Sequence, residues 1–356
     1  MESEQSIQQM LTFLKEYQGR TLTYMEVCGS HTAAIAKSGI KSLISPKIKL
    51  VSGPGCPVCV TPSAYIDRLI LLAKQKGTCV VTFGDLIRVP GSKQSLGQAK
   101  ADGAQVKMVY APADLIPMAQ EHPRITYIFA AVGFETTTPV YTLLLEQIEA
   151  LQLPNVKLLT ALKTMPEVIG WLCEHHAGVD GFLAPGHVSV ITGSDAFRPL
   201  ATRYGLPFVV AGFTSEELIR AIYLLVKLSE KVDADPKPCQ VVNAYPSAVT
   251  AKGNVMAQNL IHKYFDTCDA VWRGMGLIKN SGRVLKEEYQ RYDAGSVSLS
   301  EDHKINEACK CGQILTGECA PKDCPLYKKV CSPSSPQGAC MVSSEGSCYQ
   351  SIINEQ

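Results

Sequence analysis

Short apolar runs alternate with amphipathic helical patterns from Thr21 to about Lys227. The apolar runs are rich in β-branched and aromatic residues, which favours strands. They are TLTYMEV (21–27), KIKLVS (47–52), TCVVTF (78–83), QVKMVY (105–110), ITYIFAAV (125–132), VKLLTAL (156–162), GFLA (181–184) and PFVVA (207–211). The segments between them, such as SAYIDRLILLAKQ (63–75), carry apolar residues at i, i+3, i+4 and i+7, as a helix with one buried face does. This alternation predicts parallel βα units and hence an α/β fold class.

Two polar, proline-containing breaks interrupt the alternation. QEHPR (120–124) follows the first four predicted strands, and VDADPKPCQ (232–240) follows the last four. We therefore predict two parallel-sheet α/β domains, residues 1–122 and 123–232, the first of which begins with an amphipathic helix. Residues 233–356 form a third predicted unit.

The third unit changes character along its length. A helical pattern runs from Ser247 to Phe265, and the glycine-punctuated stretch GMGLIKNSGR (274–283) follows it. From about Leu299 the periodicity fades, and Cys, Pro, Ser and Gly dominate. Because such a composition buries little apolar surface, we expect covalent bonds or a metal to hold this C-terminal region together.

Composition and charge exclude several classes of function. Lys plus Arg number 34 and Asp plus Glu number 33, so no net positive field draws the chain toward nucleic acid or an anionic membrane. No apolar run approaches the roughly 18 residues that a membrane-spanning helix needs. The N-terminal residues lack the basic and apolar regions of a signal peptide. We expect a cytoplasmic protein that binds neither nucleic acid nor a membrane.

The cysteines are unusual in number and in distribution. The chain has 14, and half of them lie between Cys309 and Cys348. Structural disulfides do not persist in a reducing compartment, so this density indicates metal or redox chemistry.

Candidate chemical residues follow five of the predicted strands. They are Cys28 and His31 after 21–27, Cys56 and Cys59 after 47–52, Asp85 after 78–83, Glu135 after 125–132, and His187 after 181–184. The carboxyl ends of parallel strands are where α/β proteins bind ligands, because loops and helix N-termini converge there. These seven residues are therefore the predicted site, although Asp85 and Glu135 are also ordinary helix-capping types.

Cys28 precedes a predicted helix in which Ser30 is the expected cap. A helix N-terminus favours a thiolate, so we expect the pKa of Cys28 to be lowered and the thiolate to act as nucleophile or metal ligand. A small buried cysteine with a packing role is the alternative. His31, three residues later, is a plausible partner of the metal ligand.

Cys56 and Cys59 form a CxxC motif at a predicted junction between a strand and a helix. This placement is typical of a dithiol–disulfide couple or of transient metal binding. Half of a four-thiolate zinc site is the alternative, but the nearby loops supply only Cys28 as a further thiol.

Four of the C-terminal cysteines show a spacing that fits a [4Fe–4S] cluster. Cys309, Cys324, Cys331 and Cys348 have the spacing C-x14-C-x6-C-x16-C, and Pro325 follows one of them. The other three leave room for a disulfide between Cys311 and Cys340, with Cys319 outside both groups. Spacing alone does not separate iron and sulfide from zinc, so a structural zinc site is the alternative.

Six motifs in order along the chain resemble those of the HypD family of [NiFe]-hydrogenase maturation factors. They are CGSHT (28–32), GPGCPVC (53–59), TFGDLIRVPGS (82–92), VGFETTTP (132–139), APGHVSVITG (184–193) and PQGACMVSSEGSC (336–348). The resemblance implies a scaffold for assembly of the Fe(CN)₂CO group, acting with a HypC-type chaperone and a HypE-type cyanide donor. It also implies two α/β domains and a C-terminal [4Fe–4S] domain.

The resemblance also implies roles for individual residues. Cys28 matches the cysteine that holds the nascent iron together with a HypC cysteine, and Cys56 and Cys59 match the cysteine pair near that iron. The assignment of C-terminal cysteines to cluster or disulfide follows the spacing and this resemblance together. The chain departs from the family at Ala33, where a second histidine often follows CGSHT.

We expect the iron to lie between the two α/β domains, at facing strand ends. The dithiol of Cys56 and Cys59 would supply the electrons that release cyanide, and the cluster would recharge it. His31, Asp85, Glu135 and His187 would position and protonate leaving groups. The rival hypotheses are an iron–sulfur disulfide reductase that acts on an external thiol protein, and a zinc-bound interaction protein.

Overall fold

A computed structural model of the chain describes residues 6–175, 178–234, 240–296 and 306–354. The strands in these ranges are β1 (Leu22–Glu26), β2 (Ile48–Ser52), β3 (Thr78–Thr82), β4 (Val106–Met108), β5 (Thr126–Gly133), β6 (Val156–Lys163), β7 (Gly181–Pro185), β8 (Phe208–Ala211), β9 (Val241–Asn243), β10 (Phe265–Trp272) and β11 (Gly276–Leu285). Each of the eight predicted strands is present, and the α/β fold class is confirmed.

The α-helices lie mostly between consecutive strands, as expected for βα units. They are α1 (Ile7–Glu16), α2 (Gly29–Ser38), α3 (Ile40–Leu43), α4 (Ser63–Ala73), α5 (Gly84–Ile87), α6 (Leu96–Ala101), α7 (Leu115–Glu121), α8 (Thr138–Ala150), α9 (Met165–His175), α10 (Gly186–Thr192), α11 (Arg198–Tyr204), α12 (Ser215–Ala234), α13 (Val255–Tyr264), α14 (Cys311–Leu315) and α15 (Ser347–Asn354). The predicted amphipathic N-terminal helix is α1, which Ser6 caps through the backbone N–H of Gln9.

The strands form two sheets. The first has the order β2-β1-β7-β8-β9, and its neighbouring strands are parallel. The second has the order β10-β11-β6-β5-β3-β4, in which β3 to β6 are parallel and the β10–β11 hairpin is antiparallel. Parallel strands deliver their carboxyl ends to one edge of each sheet, so the loops that follow them cluster there.

The strand pairing crosses the predicted boundary at residue 122. In the first sheet β1 pairs with β7, and in the second β3 pairs with β5. A boundary at residue 122 therefore does not separate the two sheets. Hydrophobic periodicity predicts that a strand forms but not which sheet it joins, because that choice depends on contacts between distant parts of the chain.

The structure corrects the prediction for residues 247–285. The helix there is shorter than predicted, since α13 begins at Val255, and the glycine-punctuated stretch forms β11, paired with β10. Solvent-exposed positions are frequent in the middle of β10 and in the first half of β11, so neither strand carries the apolar run that marks a buried strand. A register shift between Cys268 and Ala270 interrupts the alternation further.

The C-terminal region, residues 306–354, consists of short helices and turns that pack against both sheets. One buried core contains Met25 and Val27 from the first sheet, Phe134 after β5 of the second, and Cys311 and Met341 from the C-terminal region. The region thus shares a core with the carboxyl ends of both sheets. Among the four described ranges, no helix is both long and apolar enough to cross a bilayer.

Gly274, in the turn of the β10–β11 hairpin, is a contact point between the second sheet and the C-terminal region. Its φ is +76°, and a Cβ built there would lie 2.5 Å from the Cα of Gly312. Gly276, two residues on, has a φ of +80° with open space around a built Cβ. Both glycines have a positive φ, which disfavours any other residue, but only Gly274 lies at a close approach to another backbone segment.

We predict that Gly274→Ala lowers the free energy of unfolding by about 1–3 kcal/mol more than Gly276→Ala, because only the former forces two backbones apart. Denaturant titration of both variants under anaerobic conditions measures the difference. Equal losses in the two variants would show that the approach to Gly312 does not hold the C-terminal region in place.

Candidate functional site

The loops after β1, β2 and β5 meet at one place. Cys56 and Cys59, from the loop after β2, share the buried core that contains Val27 at the end of β1 and Phe134 at the end of β5. Cys311 of the C-terminal region belongs to the same core. The structure therefore brings the predicted CxxC motif together with strand ends from both sheets.

Cys28 lies at the N-cap of α2 and is 7% exposed. Its backbone N–H donates to Glu26 Oε2 at 3.1 Å, and Gly29 N–H donates to the carbonyl oxygen of Gly55 at 2.9 Å. A Cβ built at Gly55 would lie 2.5 Å from the Cα of Cys28. Only glycine fits there, so the GPGC loop runs directly against the Cys28 backbone.

The expected lowering of the Cys28 pKa is wrong for the protein without metal. Burial raises the pKa of the Cys28 thiol to about 12, although the backbone N–H groups of His31 and Ser30 act in the opposite direction. Desolvation outweighs the helix N-terminus because the thiolate is the charged form. Ser30 is not the cap either: its hydroxyl donates to Glu345 Oε1 at 2.9 Å.

Cys56 and Cys59 form a disulfide in this structure, with their Cα atoms 5.2 Å apart. Both residues are almost fully buried, at 3% and 0% exposure. The backbone N–H of Cys59 donates to the carbonyl oxygen of Cys56 at 3.1 Å, which closes the turn. The pair is therefore a preformed couple that is shielded from solvent.

His31 is fully buried and binds the loop after β8. Its Nε2 lies 3.0 Å from the carbonyl oxygen of Gly212 and 3.2 Å from that of Ala211, so Nε2 carries the proton. Burial lowers the pKa of His31 to about 4, and the ring is neutral. Its Nδ1 is buried without a hydrogen-bond partner among the described residues.

His187 is connected to His31 through the ring of Phe213. Phe213 contacts both imidazoles, with ring centroids 4.8 Å from His31 and 4.0 Å from His187. His187 lies on the exposed side of this stack, and partial burial lowers its pKa. The structure therefore brings the two predicted histidines together, with Phe213 as an intermediary that the sequence analysis missed.

Asp85 and Glu135 have different surroundings. Asp85 Oδ2 accepts from the Ser343 hydroxyl at 3.3 Å, which links the loop after β3 to the C-terminal region. Glu135 Oε1 accepts from the backbone N–H of Met165 at 2.9 Å, while its Oε2 is buried without a hydrogen-bond partner in the described parts of the chain. Burial raises the pKa of Glu135 to about 7, and the charge of Glu167 adds to this effect.

Six of the seven C-terminal cysteines line one small cavity. They are Cys309, Cys311, Cys324, Cys331, Cys340 and Cys348. Cys311, Cys340 and Cys348 are thiols, and hydrogen bonds connect Cys340 to the other two. Burial raises the pKa of Cys309 to about 12. When thiols of this kind bind a soft metal, the metal replaces the proton, which is released.

A large groove runs between the first sheet and the C-terminal region. Its volume is about 800 Å³, and Glu26 and Thr32 line one side while Cys319 and Pro321 line the other. The Glu26 carboxylate accepts hydrogen bonds from Thr32 and from the Cys28 backbone, so the groove reaches the immediate surroundings of Cys28.

The sequence analysis missed two carboxylates near Cys28. Burial raises the pKa of Glu26 to about 7, while its hydrogen bonds with Thr32 and Ser52 act against this shift. Glu345 accepts from Ser30, and burial raises its pKa as well. Glu26 lies within the predicted strand 21–27, where an isolated carboxylate gives no local signal of a site. Glu345 is about 315 residues from Ser30 in the sequence, a separation that no local pattern bridges.

The comparisons with known proteins agree on one family. The family model HypD, described as "Hydrogenase formation hypA family", matches residues 4–353. The hydrogenase maturation factor HypD of Escherichia coli (strain K12) is 41% identical over 333 residues, which are 92% of this chain and 88% of that protein. Those of Azotobacter vinelandii and Cupriavidus necator are 40% and 37% identical, over 92% and 93% of this chain and 88% and 89% of their own lengths. The chain belongs to the HypD family of hydrogenase maturation factors.

Proposed function

We propose that this chain is the scaffold on which the Fe(CN)₂CO group of [NiFe]-hydrogenases is assembled. The observation that carries the proposal is the position of the buried Cys28 thiol. The Cys28 backbone contacts Gly55 of the loop that bears Cys56 and Cys59, and the hydroxyl of Ser30 donates a hydrogen bond to Glu345 of the cysteine-rich region. The proposed iron anchor and the proposed redox pair thus lie on neighbouring segments.

The iron is the substrate of this assembly, and Cys28 is its proposed anchor. Low-spin iron with diatomic ligands prefers soft donors such as thiolates. The Cys28 thiol keeps its proton when it is free, because burial raises its pKa to about 12, and iron would replace that proton. A HypC-type chaperone would contribute a second thiolate, and the groove beside Glu26 and Thr32 offers it a path toward Cys28.

The Cys56–Cys59 pair is the proposed source of electrons for cyanide transfer. A HypE-type donor would present cyanide as a protein-bound thiocyanate. Cleavage of its S–CN bond takes up two electrons and yields a thiolate and cyanide, which passes to iron. Oxidation of the Cys56 and Cys59 dithiol to the disulfide releases two electrons and two protons, so the step balances.

The residues that would hold a [4Fe–4S] cluster are Cys309, Cys324, Cys331 and Cys348. The donor set suits such a group in kind, because these four thiols line the same small cavity and all but Cys309 are buried. A cluster there would supply one-electron redox chemistry. Cys311 and Cys340 are free thiols in hydrogen-bond contact beside these residues, and this contact supports the proposed adjacent disulfide.

The polar residues around the site have two different proposed roles, proton donation and positioning. Glu135, with a pKa of about 7, exchanges a proton near neutral pH and is the best-suited proton donor. Asp85 holds Ser343 of the C-terminal region, and His31 donates to two backbone carbonyl oxygens. We assign positioning roles to Asp85 and His31, with His187 stacked at the exposed edge through Phe213.

The disulfide-reductase hypothesis fits the structure less well. An external disulfide protein needs access to at least one attacking sulfur. Cys56 and Cys59 are 3% and 0% exposed, so neither sulfur meets a protein partner without rearrangement.

We predict that Cys28→Ala abolishes retention of low-spin iron by the anaerobically purified complex with a HypC-type partner, because its anchoring thiolate is gone. Mössbauer spectra of protein labelled with ⁵⁷Fe measure this loss. Cys79→Ala is the matched control, since Cys79 is also a buried cysteine, within β3. Iron retained in Cys28→Ala at the level of the control would disprove the anchoring role.

We predict that Cys324→Ala removes the brown visible absorption of a [4Fe–4S] cluster, because three protein thiolates then remain. Cys319→Ala should leave the absorption unchanged, since Cys319 lies in the groove outside the cysteine-lined cavity. Absorption spectra together with iron and zinc analysis give the result. An unchanged spectrum in Cys324→Ala refutes this ligand choice, and zinc without iron in the wild-type protein refutes the cluster.

A further inference from the structure

Arg273 is a buried cation that the proposed assembly reaction leaves without a role. It occupies the turn between β10 and β11 and is 8% exposed. A buried guanidinium is costly unless hydrogen bonds or negative charge compensate it. Its neighbours therefore indicate what the charge is for.

On one side Arg273 holds the backbone that directly follows Cys59. Its backbone N–H donates to the carbonyl oxygen of Val60 at 2.9 Å, and its side-chain Nε donates to the carbonyl oxygen of Thr61 at 2.6 Å. One terminal guanidinium nitrogen also donates to the carbonyl oxygen of Pro90 at 3.1 Å. Three bonds from one residue thus fix the end of the CPVC turn relative to the β10–β11 hairpin.

On the other side the same hairpin turn meets the C-terminal cysteines. The backbone of Gly274 approaches that of Gly312, the residue after Cys311, so closely that a Cβ built at Gly274 would lie 2.5 Å from the Cα of Gly312. Arg273 therefore lies between the CPVC turn and the cysteine-lined cavity.

The turn is also rigidly supported. Trp272, the preceding residue, is fully buried and stacks on Phe134 with ring centroids 5.9 Å apart. Its indole Nε1–H donates to the Ser281 hydroxyl at 2.8 Å on the neighbouring strand. A cation on such a support keeps its position when the charge around it changes.

We propose that Arg273 is a positioning residue that sets the reduction potential of the Cys56–Cys59 pair. This inference rests on the proposed function, in which that pair cycles between disulfide and dithiol. A dithiol that is oxidised to its own disulfide supplies two electrons, which break the S–S bond; the reduced pair takes up one proton and keeps one thiolate. A fixed positive charge in a poorly hydrated site stabilises the added negative charge, so it makes the disulfide easier to reduce.

The test compares three variants of the full protein, purified anaerobically. Each is equilibrated with dithiothreitol buffers of graded potential, the free thiols are alkylated, and the alkylated fraction of Cys56 and Cys59 is measured by mass spectrometry. Arg273→Gln should lower the equilibrium constant for reduction about tenfold, or about 30 mV. Arg273→Lys should stay near the wild type, because it keeps the charge.

Arg88→Gln is the matched control. Arg88 also donates to a backbone carbonyl of the C-terminal region, that of Val342 at 3.0 Å, but its side chain is exposed. The Arg88→Gln variant loses the same charge as Arg273→Gln. Its equilibrium constant for reduction of the Cys56–Cys59 pair should match the wild type, because solvent screens an exposed charge.

Two results would overturn the inference. One is an Arg273→Gln protein that reduces as readily as Arg88→Gln. The other is an Arg273→Lys protein whose equilibrium constant for reduction falls as far as that of Arg273→Gln. Packing rather than charge would then explain the change. If circular dichroism shows that Arg273→Gln is unfolded, the lysine variant decides: a tenfold loss there refutes the role of charge, and a wild-type value upholds it. A wild-type pair that no buffer reduces would instead contradict the proposed function.

Discussion

The arrangement of this protein depends on one close backbone approach, between the loop after β2 and Cys28, the N-cap residue of α2. A side chain larger than hydrogen at Gly55 would overlap the Cα of Cys28, and Gly29 donates back to the Gly55 carbonyl oxygen. The contact ties the proposed iron anchor to the loop that bears Cys56 and Cys59. Cys28 and the Cys56–Cys59 pair are therefore held at a fixed separation, because a shift of one segment would move the other.

Burial controls the protonation of the groups at the candidate site. It raises the pKa of the Cys28 thiol and of the Glu135 and Glu26 carboxyls, and it lowers that of the His31 imidazole. In each case the neutral form gains, because a site with little water solvates charge poorly. The Cys28 thiol and the His31 ring are therefore uncharged at neutral pH, and the two carboxyls exchange a proton near neutrality, which suits the proposed scaffold.

The cysteine-rich region completes the site although it has little regular structure of its own. Glu345 accepts a hydrogen bond from Ser30 of α2, which follows β1 of the first sheet, and Ser343 donates one to Asp85 of α5, which follows β3 of the second. Hydrogen bonds of this kind, over more than 250 residues of chain, exist only when both sheets are folded. We infer that a cluster in this region would both stabilise it and place its electrons beside the Cys56–Cys59 pair, across the turn that carries Arg273.

The sequence by itself determined eight of the nine parallel strands that the structure describes, the α/β class, the family and most of the chemical residues, because apolar periodicity and strand-end motifs are local properties. It did not determine the sheet to which each strand belongs, the β10–β11 hairpin, or the raised pKa of Cys28. Helix position favours a Cys28 thiolate, yet burial reverses that preference, and burial is a sum over residues far apart in the chain. Only the tertiary structure decided these features, since strand partners, desolvation and the contacts of Arg273 all arise between distant segments.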